Sequence, residues 1–150
     1  MTVLRFQRAR DDKSIGILSW FPVHGTSIYN NNTHVAGDNK GVAAWLFEKA
    51  MQGDDAAAEG FVAGFSQTNE GDASPNILGA WCDDGSGAKC DFETSTCSDG
   101  TGGKCRGRGP EFHVDDMGVK SCYEIGRRQY VAAKSAYVSG CLAWRIAVFS

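Results

Sequence analysis

Three short segments of the chain carry mostly apolar or alternating residues, and their lengths are those of β-strands. Residues 2–7 alternate crudely between apolar and polar positions. Residues 14–21 and 61–67 are apolar-rich runs, and the first of them is apolar enough for a strand buried on both faces of a sheet. A polar loop follows each of these two runs. We therefore predict a sheet that contains all three strands.

Two longer segments predict helices. The first begins near residue 38, with Asp38 or Asn39 as the expected N-cap, and ends at Gly53. The residues at helical spacing in it are Val42, Trp45, Leu46, Lys49 and Ala50. The second covers residues 120–137, and its expected face consists of Cys122, Ile125, Tyr130, Ala133 and Tyr137. The order strand, helix, strand, helix indicates an α/β fold.

The composition is that of a globular domain and excludes several classes of protein. The chain has 150 residues, of which 42% are hydrophobic and 22% are charged, so a wholly disordered chain is excluded. A net charge of -3 offers no electrostatic basis for binding nucleic acid. No apolar run approaches the roughly 18 residues that are needed to span a bilayer.

Four of the six cysteines lie in a Gly-, Asp- and Ser-rich segment, residues 82–109. These are Cys82, Cys90, Cys97 and Cys105, and their spacing contains no CxxC pair of the kind that zinc ribbons use. Disulfides of an oxidising compartment fit better, although the residues alone leave the pairing open. The partners of Cys122 and Cys141 are open as well.

A secreted location follows from the cysteines, and Asn31 supports it because it begins an Asn-Asn-Thr sequon for N-glycosylation. The first residues, however, contain no apolar core of a signal peptide. After Tyr137 the chain turns apolar and has no polar end. We therefore expect this chain to be a piece of a longer protein.

The loop after residue 21 is a place where chemistry is expected, because ligands of open α/β sheets bind at the carboxyl ends of strands. It contains His24 between small residues, which leaves the imidazole room to reach a metal or a substrate. The alternative is a structural histidine whose hydrogen bonds are all made within its loop. A catalytic zinc ion needs about three protein ligands, and His34 and His113 lie at no ligand spacing.

The loop after residue 67 contains amides, carboxylates and one candidate nucleophile, Ser74. The chain has no G-x-S-x-G elbow here, and Pro75 cannot donate the N–H that such an elbow supplies to an oxyanion hole. The alternative is a turn built around Pro75. Further candidates for contact with a substrate are Gln67, Asn69, Asp72 and Asn76.

Several motifs, in order, resemble the neutral/alkaline (non-lysosomal) ceramidases. They are residues 20–27 (WFPVHGTS), 37–41 (GDNKG) and 61–79, which include GDASPN. The resemblance extends to residue 137 and is absent over residues 138–150. We therefore expect residues 1–137 to be an incomplete slice of an α/β catalytic domain with a disulfide-stapled loop, followed by an unmatched tail over residues 138–150.

The resemblance implies a zinc-dependent amidase that cleaves ceramide, at a membrane surface, to sphingosine and a fatty acid. His24 corresponds to a zinc-binding histidine of the family, and Ser74 corresponds to the serine assigned as catalytic. The implied disulfides are Cys82–Cys97 and Cys90–Cys105. The family takes its other zinc ligands, a histidine, a glutamate and a tyrosine, from regions outside this chain. We therefore expect the isolated chain to be inactive.

Two other functions stay open at this point. A serine hydrolase would use Ser74 without a metal. A non-enzymatic secreted domain, stapled by disulfides, would need only the cysteine array and the sequon, and it would fold stably on its own.

Overall fold

The elements of the chain confirm an α/β architecture. The computed structural model describes residues 1–140 and 143–148. The order is β1 (Thr2–Arg8), β2 (Ser14–Trp20), α1 (Asp38–Met51), β3 (Ala57–Ser66), β4 (Ala80–Cys82), β5 (Cys105–Gly107), α2 (Val119–Ser139) and β6 (Ala143–Val148). A short 3-10 helix, Val114–Asp116, precedes α2. The strands and helices predicted over residues 1–137 are therefore present, with ends shifted by a few residues.

Four strands form one mixed sheet in the order β3-β2-β1-β6. β1 is antiparallel to β2 and parallel to β6. β2 and β3 run parallel, with Trp20 opposite Ser66, and α1 provides the crossover between them. Because parallel neighbours end at the same edge of a sheet, the loops that follow β2 and β3 leave the sheet side by side.

The helices α1 and α2 pack against one face of this sheet and enclose the hydrophobic core. Phe47 is fully buried there, and four aromatic rings lie around it with centroids 5.6 to 6.5 Å away. Those rings belong to Phe61, Phe65, Tyr130 and Tyr137. The other face of the sheet is not covered by the described residues, and Val62 on that face is 61% exposed. The prediction that residues 14–21 are buried on both faces of the sheet is therefore not met by the described residues.

Helix α1 buries a different set of residues from the one predicted. The buried residues are Asn39, Ala43, Phe47 and Met51, whereas Trp45 is 51% exposed. The predicted N-cap is also wrong, because the residue at the cap position is Gly37 and no side chain caps the helix. The elements that α1 packs against decide which of its faces is buried. The spacing of apolar residues within the helix does not reveal that face.

Helix α2 is slightly longer than predicted. Its buried residues include Cys122, Ile125, Ala133 and Tyr137, as predicted, while Tyr130 is half-buried. They also include three residues that the sequence did not single out, namely Ser121, Gly126 and Gln129. A Cβ at Gly126 would lie 2.6 Å from the Val42 side chain, so only glycine permits this close packing of α2 on α1.

The cysteine segment is a hairpin that is closed by β4 and β5 and cross-linked twice. Cys82 is bonded to Cys97 and Cys90 to Cys105, which are the pairs that the resemblance implies. Cys122 is a free, buried thiol, and burial raises its pKa to about 12. Cys141 lies outside the described residues. Neither described helix is long and apolar enough to cross a bilayer.

Candidate active site

Two loops meet at the carboxyl ends of β2 and β3, and we call them the histidine loop (residues 21–28) and the serine loop (residues 67–79). The main-chain N–H of His24 donates to the Ala73 carbonyl at 3.0 Å. The Gln67 side chain accepts from the Val23 N–H at 3.2 Å and donates to the Val23 carbonyl. The loops are therefore joined along their length.

The His24 imidazole lies against the serine loop. Its Nε2 is 2.8 Å from the Gly71 carbonyl oxygen, which only accepts, so Nε2 carries a hydrogen. Its Nδ1 is 3.2 Å from Oε1 of Glu70. The side chain is 37% exposed, so solvent and a ligand can still reach it. Sequence reasoning missed Glu70, because nothing in the local pattern connects it to a histidine 46 positions earlier.

Ser74 is exposed and forms a local turn. Its Oγ accepts from the Asn76 N–H at 3.1 Å, and its own N–H donates to the Asp72 carbonyl at 2.9 Å. The turn that we considered as the alternative to a catalytic role is therefore present. Over residues 1–140 and 143–148, no histidine or carboxylate side chain is hydrogen-bonded to the Ser74 hydroxyl.

An apolar pocket of about 300 Å³ opens beside Ser74. Its walls come from both loops and from helix α2, and they include Phe21, Pro22, Val23, Ala73, Ile125 and Ala132. Ser74 therefore presents a hydroxyl at a pocket lined mostly by hydrocarbon. This arrangement suits a ligand with a polar head and an apolar chain.

Residues 1–146 match the sequence model of the neutral/alkaline non-lysosomal ceramidases, in its N-terminal part. The chain belongs to this family. The matched residues extend past Tyr137 and include most of β6.

Similarity to individual ceramidases agrees with this. The chain is 50% identical over 97 residues to neutral ceramidase B of Dictyostelium discoideum, an alignment that covers 64% of this chain and 13% of the relative. It is 29% identical over 198 residues to neutral ceramidase 1 of Arabidopsis thaliana, which covers 89% of this chain and 24% of the relative. The chain thus spans much less than half the length of these relatives.

Two solved structures share the fold. The neutral ceramidase of Pseudomonas aeruginosa has a TM-score of 0.52 and 27% identity, covering 90% of this chain and 16% of that one. A structure described as ceramidase complexed with C2 has a TM-score of 0.54 and 31% identity, covering 91% of this chain and 16% of that one.

The described residues do not fit a zinc ion by themselves. His24 and Glu70 offer two ligand groups at most, and both nitrogens of the imidazole already face oxygen atoms of the serine loop. The sulfur atoms of Cys82, Cys90 and Cys97 lie close together, but they belong to disulfides. A ceramidase site for zinc at His24 therefore needs further ligands from outside the described residues.

The other predicted site residues fall into two groups. Gln67 and Asn76 connect the loops, since the Asn76 amide donates to the Thr26 carbonyl at 3.3 Å. The Asn76 Oδ1 atom is buried without a partner. Asn69 and Asp72 are exposed on the serine loop, where a substrate can reach them.

Two polar residues of α1, Asn39 and Lys40, contact the loops and were missed as site residues. Asn39 is fully buried and donates to the His24 carbonyl at 2.9 Å. Lys40 Nζ donates to the carbonyl oxygens of Phe21 at 2.6 Å and Ser66 at 3.3 Å. The only signal was the polar run at the start of a helix, which is ordinarily explained by capping.

Asn31 lies exposed in a turn, and the Asn32 N–H donates to the Tyr29 carbonyl there at 3.1 Å. Thr33 of the sequon is exposed too. The acceptor amide is therefore accessible on the folded surface.

Proposed function

We propose that the protein containing this chain hydrolyses the N-acyl amide bond of ceramide and releases sphingosine and a free fatty acid. The observation that carries the proposal is Ser74 at the rim of an apolar pocket, beside the His24 loop, in a chain of the ceramidase family. Ceramide has one amide and two hydroxyls next to long hydrocarbon chains. Its polar head suits the loop groups, and one hydrocarbon chain suits the pocket.

We assign zinc as the cofactor of the complete protein and His24 as one of its ligands. When bound, Zn²⁺ would polarise an amide carbonyl and lower the pKa of a bound water molecule to about 7. His24 must exchange one of its present partners, the Gly71 carbonyl or Glu70, for the metal. Because this chain supplies too few ligands, we expect it to be inactive in isolation.

We assign Ser74 the role of orienting ceramide. Its Oγ already accepts from the Asn76 N–H, so its own hydrogen is available to donate to an oxygen of the substrate. A nucleophilic serine needs an adjacent base, and no described side chain is hydrogen-bonded to Ser74 in that role. Asn69 and Asp72 are exposed nearby and are further candidates for contact with the polar head.

We further propose that the protein is secreted and carries a glycan on Asn31. Two disulfides and an exposed sequon support this. Ceramide would then reach the enzyme from a membrane surface. Digestion of the purified full-length protein with an endoglycosidase, followed by mass spectrometry of the peptide containing Asn31, tests the glycan directly.

The test of the function is ceramide hydrolysis by the full-length protein, measured as release of the fatty acid. We expect activity that a chelator removes and zinc restores. His24→Ala should lose both activity and bound zinc, whereas His34→Ala, a matched exposed histidine, should retain both.

If these expectations fail, the way in which they fail favours one of the two other functions. Activity that survives chelation but not Ser74→Ala would favour a metal-independent serine hydrolase. An isolated chain that is stably folded, together with a full-length protein that hydrolyses no amide, would favour a non-enzymatic secreted domain.

A further inference from the structure

Three consecutive side chains at the start of α1 hold the histidine loop at its beginning, middle and end. We propose that these residues, Asp38, Asn39 and Lys40, which we call the helix-start triplet, are positioning residues for His24. Their hydrogen bonds to the loop go to its main chain and to the Ser27 hydroxyl, and none goes to the imidazole. The inference rests on the proposed function, since His24 matters only if the site is catalytic.

Asp38 holds the end of the loop. Its carboxylate accepts from the main-chain N–H groups of Ser27 at 3.1 Å and Ile28 at 3.0 Å. Asp38 has a φ of 46°, in the left-handed region that L-residues rarely adopt. This backbone conformation accompanies a carboxylate that points back to the loop.

Asn39 holds the middle of the loop and also connects it to the second helix. Its Nδ2 donates to the His24 carbonyl at 2.9 Å and to Ser27 Oγ at 3.0 Å, and its Oδ1 accepts from Gln129 Nε2 at 3.0 Å. Asn39 is fully buried and Gln129 is 3% exposed. A buried group that loses its partner pays its full desolvation cost. The His24 carbonyl therefore cannot shift without losing its hydrogen bond to a buried amide.

Lys40 holds the beginning of the loop and the neighbouring strand end. Its ammonium donates to the Phe21 carbonyl at 2.6 Å and to the Ser66 carbonyl at 3.3 Å. Phe21 is the first residue of the histidine loop, and Ser66 directly precedes the serine loop. One cation thus fixes the separation of the two strand ends from which both loops depart.

The contacts of the triplet are separate from those of the imidazole. The His24 ring contacts Gly71 and Glu70, and both belong to the serine loop. Substitutions in the triplet therefore remove no candidate ligand group and no hydrogen bond of the His24 ring, although Lys40→Met also removes a positive charge near Glu70. A misplacement of about 1 Å can cost about 10²-fold in rate.

The experiment compares Lys40→Met and Asn39→Ala with Lys49→Met in the full-length protein. Lys49 is an exposed lysine of the same helix, and its ammonium lies over the Trp45 ring away from both loops. The readouts are kcat and KM for ceramide, and amide hydrogen exchange of the peptide covering residues 21–28. That peptide contains the protected N–H groups of His24, Ser27 and Ile28.

We expect Lys40→Met and Asn39→Ala to lower kcat by about 10- to 100-fold, while KM changes much less because neither substituted residue lines the apolar pocket. Exchange over residues 21–28 should accelerate, while exchange in β1 and β2 stays as in the unmodified protein. Lys40→Arg, which retains two donors for the two carbonyls, should restore most of the kcat.

Unchanged exchange over residues 21–28, or a kcat equal to that of Lys49→Met, would overturn the positioning role. The positioning role would also be overturned if each variant lost activity only in proportion to its loss of folded protein. If Asn39→Ala does not fold, Lys40→Met decides, because Lys40 is only half-buried. If the unmodified protein does not hydrolyse ceramide, the proposed function fails, and the exchange measurement still decides whether the triplet holds the loop.

Discussion

The main-chain N–H of His24 donates to the carbonyl oxygen of Ala73 at 3.0 Å, and Ala73 directly precedes Ser74. The backbone therefore places the candidate metal ligand beside the candidate substrate-orienting hydroxyl. The Ser74 hydroxyl is hydrogen-bonded within its own turn and not to the His24 side chain. Substitution of Ser74 should consequently change chemistry and leave the fold intact.

Ser74→Ala in the full-length protein should reduce ceramide hydrolysis by about 10²-fold or more and leave bound zinc unchanged. The reason is that the substitution removes the hydroxyl at the pocket and does not touch His24. Kinetics on ceramide and zinc analysis of the purified variant check this.

A matched control for that variant is Ser86→Ala in the cysteine hairpin. Ser86 Oγ accepts from the Ala88 N–H at 3.2 Å, in a turn like that of Ser74. Loss of the serine turn at Ser86, away from the candidate site, should therefore leave activity intact. Unchanged activity in Ser74→Ala would contradict its assignment to the site.

Phe47→Ala should destabilise the domain by about 3–5 kcal/mol. Phe47 is fully buried among four aromatic rings, and its loss would leave a cavity between α1 and the sheet. Trp45→Ala, in the same helix, should cost only about 0.5 kcal/mol because Trp45 is 51% exposed. Thermal unfolding of both variants measures the difference, and equal shifts would mean that α1 buries another face.

Reduction of the two disulfides should open the cysteine hairpin and leave the sheet intact. Each bond closes a loop with a sequence separation of 15. A disulfide across such a loop stabilises the closed hairpin by about 3 kcal/mol, so its reduction should raise the fraction of molecules with an open hairpin by about a hundredfold. Trypsin should therefore cleave after Lys89 far faster under reducing conditions. Cleavage after Lys120, at the exposed start of α2, is the internal control. Equal acceleration at both lysines would indicate global unfolding.

Stability should rise with pH as Lys40 loses its proton. Burial lowers the pKa of Lys40 from its ordinary value of 10.5 to about 8, and the nearby Glu70 charge opposes this only in part. Between pH 8 and pH 10.5 the unfolded chain binds more protons at this group than the folded chain does. The contribution of Lys40 to the free energy of unfolding therefore increases across that window and is flat below it.

The measurement is the unfolding midpoint against pH for the unmodified protein and for Lys40→Met, with Lys49→Met as the matched control. As the pH rises above 8, the unfolding midpoint of the unmodified protein should increase relative to that of Lys40→Met. A constant difference throughout the window would show that burial does not perturb Lys40.

The sequence by itself determined the elements and the candidate chemistry of this protein. Strand and helix periodicities depend on neighbouring residues, so β1, β2, α1, β3 and α2 were predictable within a few residues. The polar loops after β2 and β3 were recognisable as a candidate site because ligands of open α/β sheets bind at the carboxyl ends of strands. Family motifs added the disulfide pairs and the roles proposed for His24 and Ser74.

Only the tertiary structure decided which side chains hold that site together. Asn39 and Gln129 are 90 positions apart, and Glu70 is brought to His24 by a loop, so no local pattern records either contact. The buried face of α1 likewise depends on α2 and the sheet, which bury Phe47 and leave Trp45 exposed. Periodicity reports how a segment folds, whereas long-range packing decides which of its polar residues become buried partners of a loop.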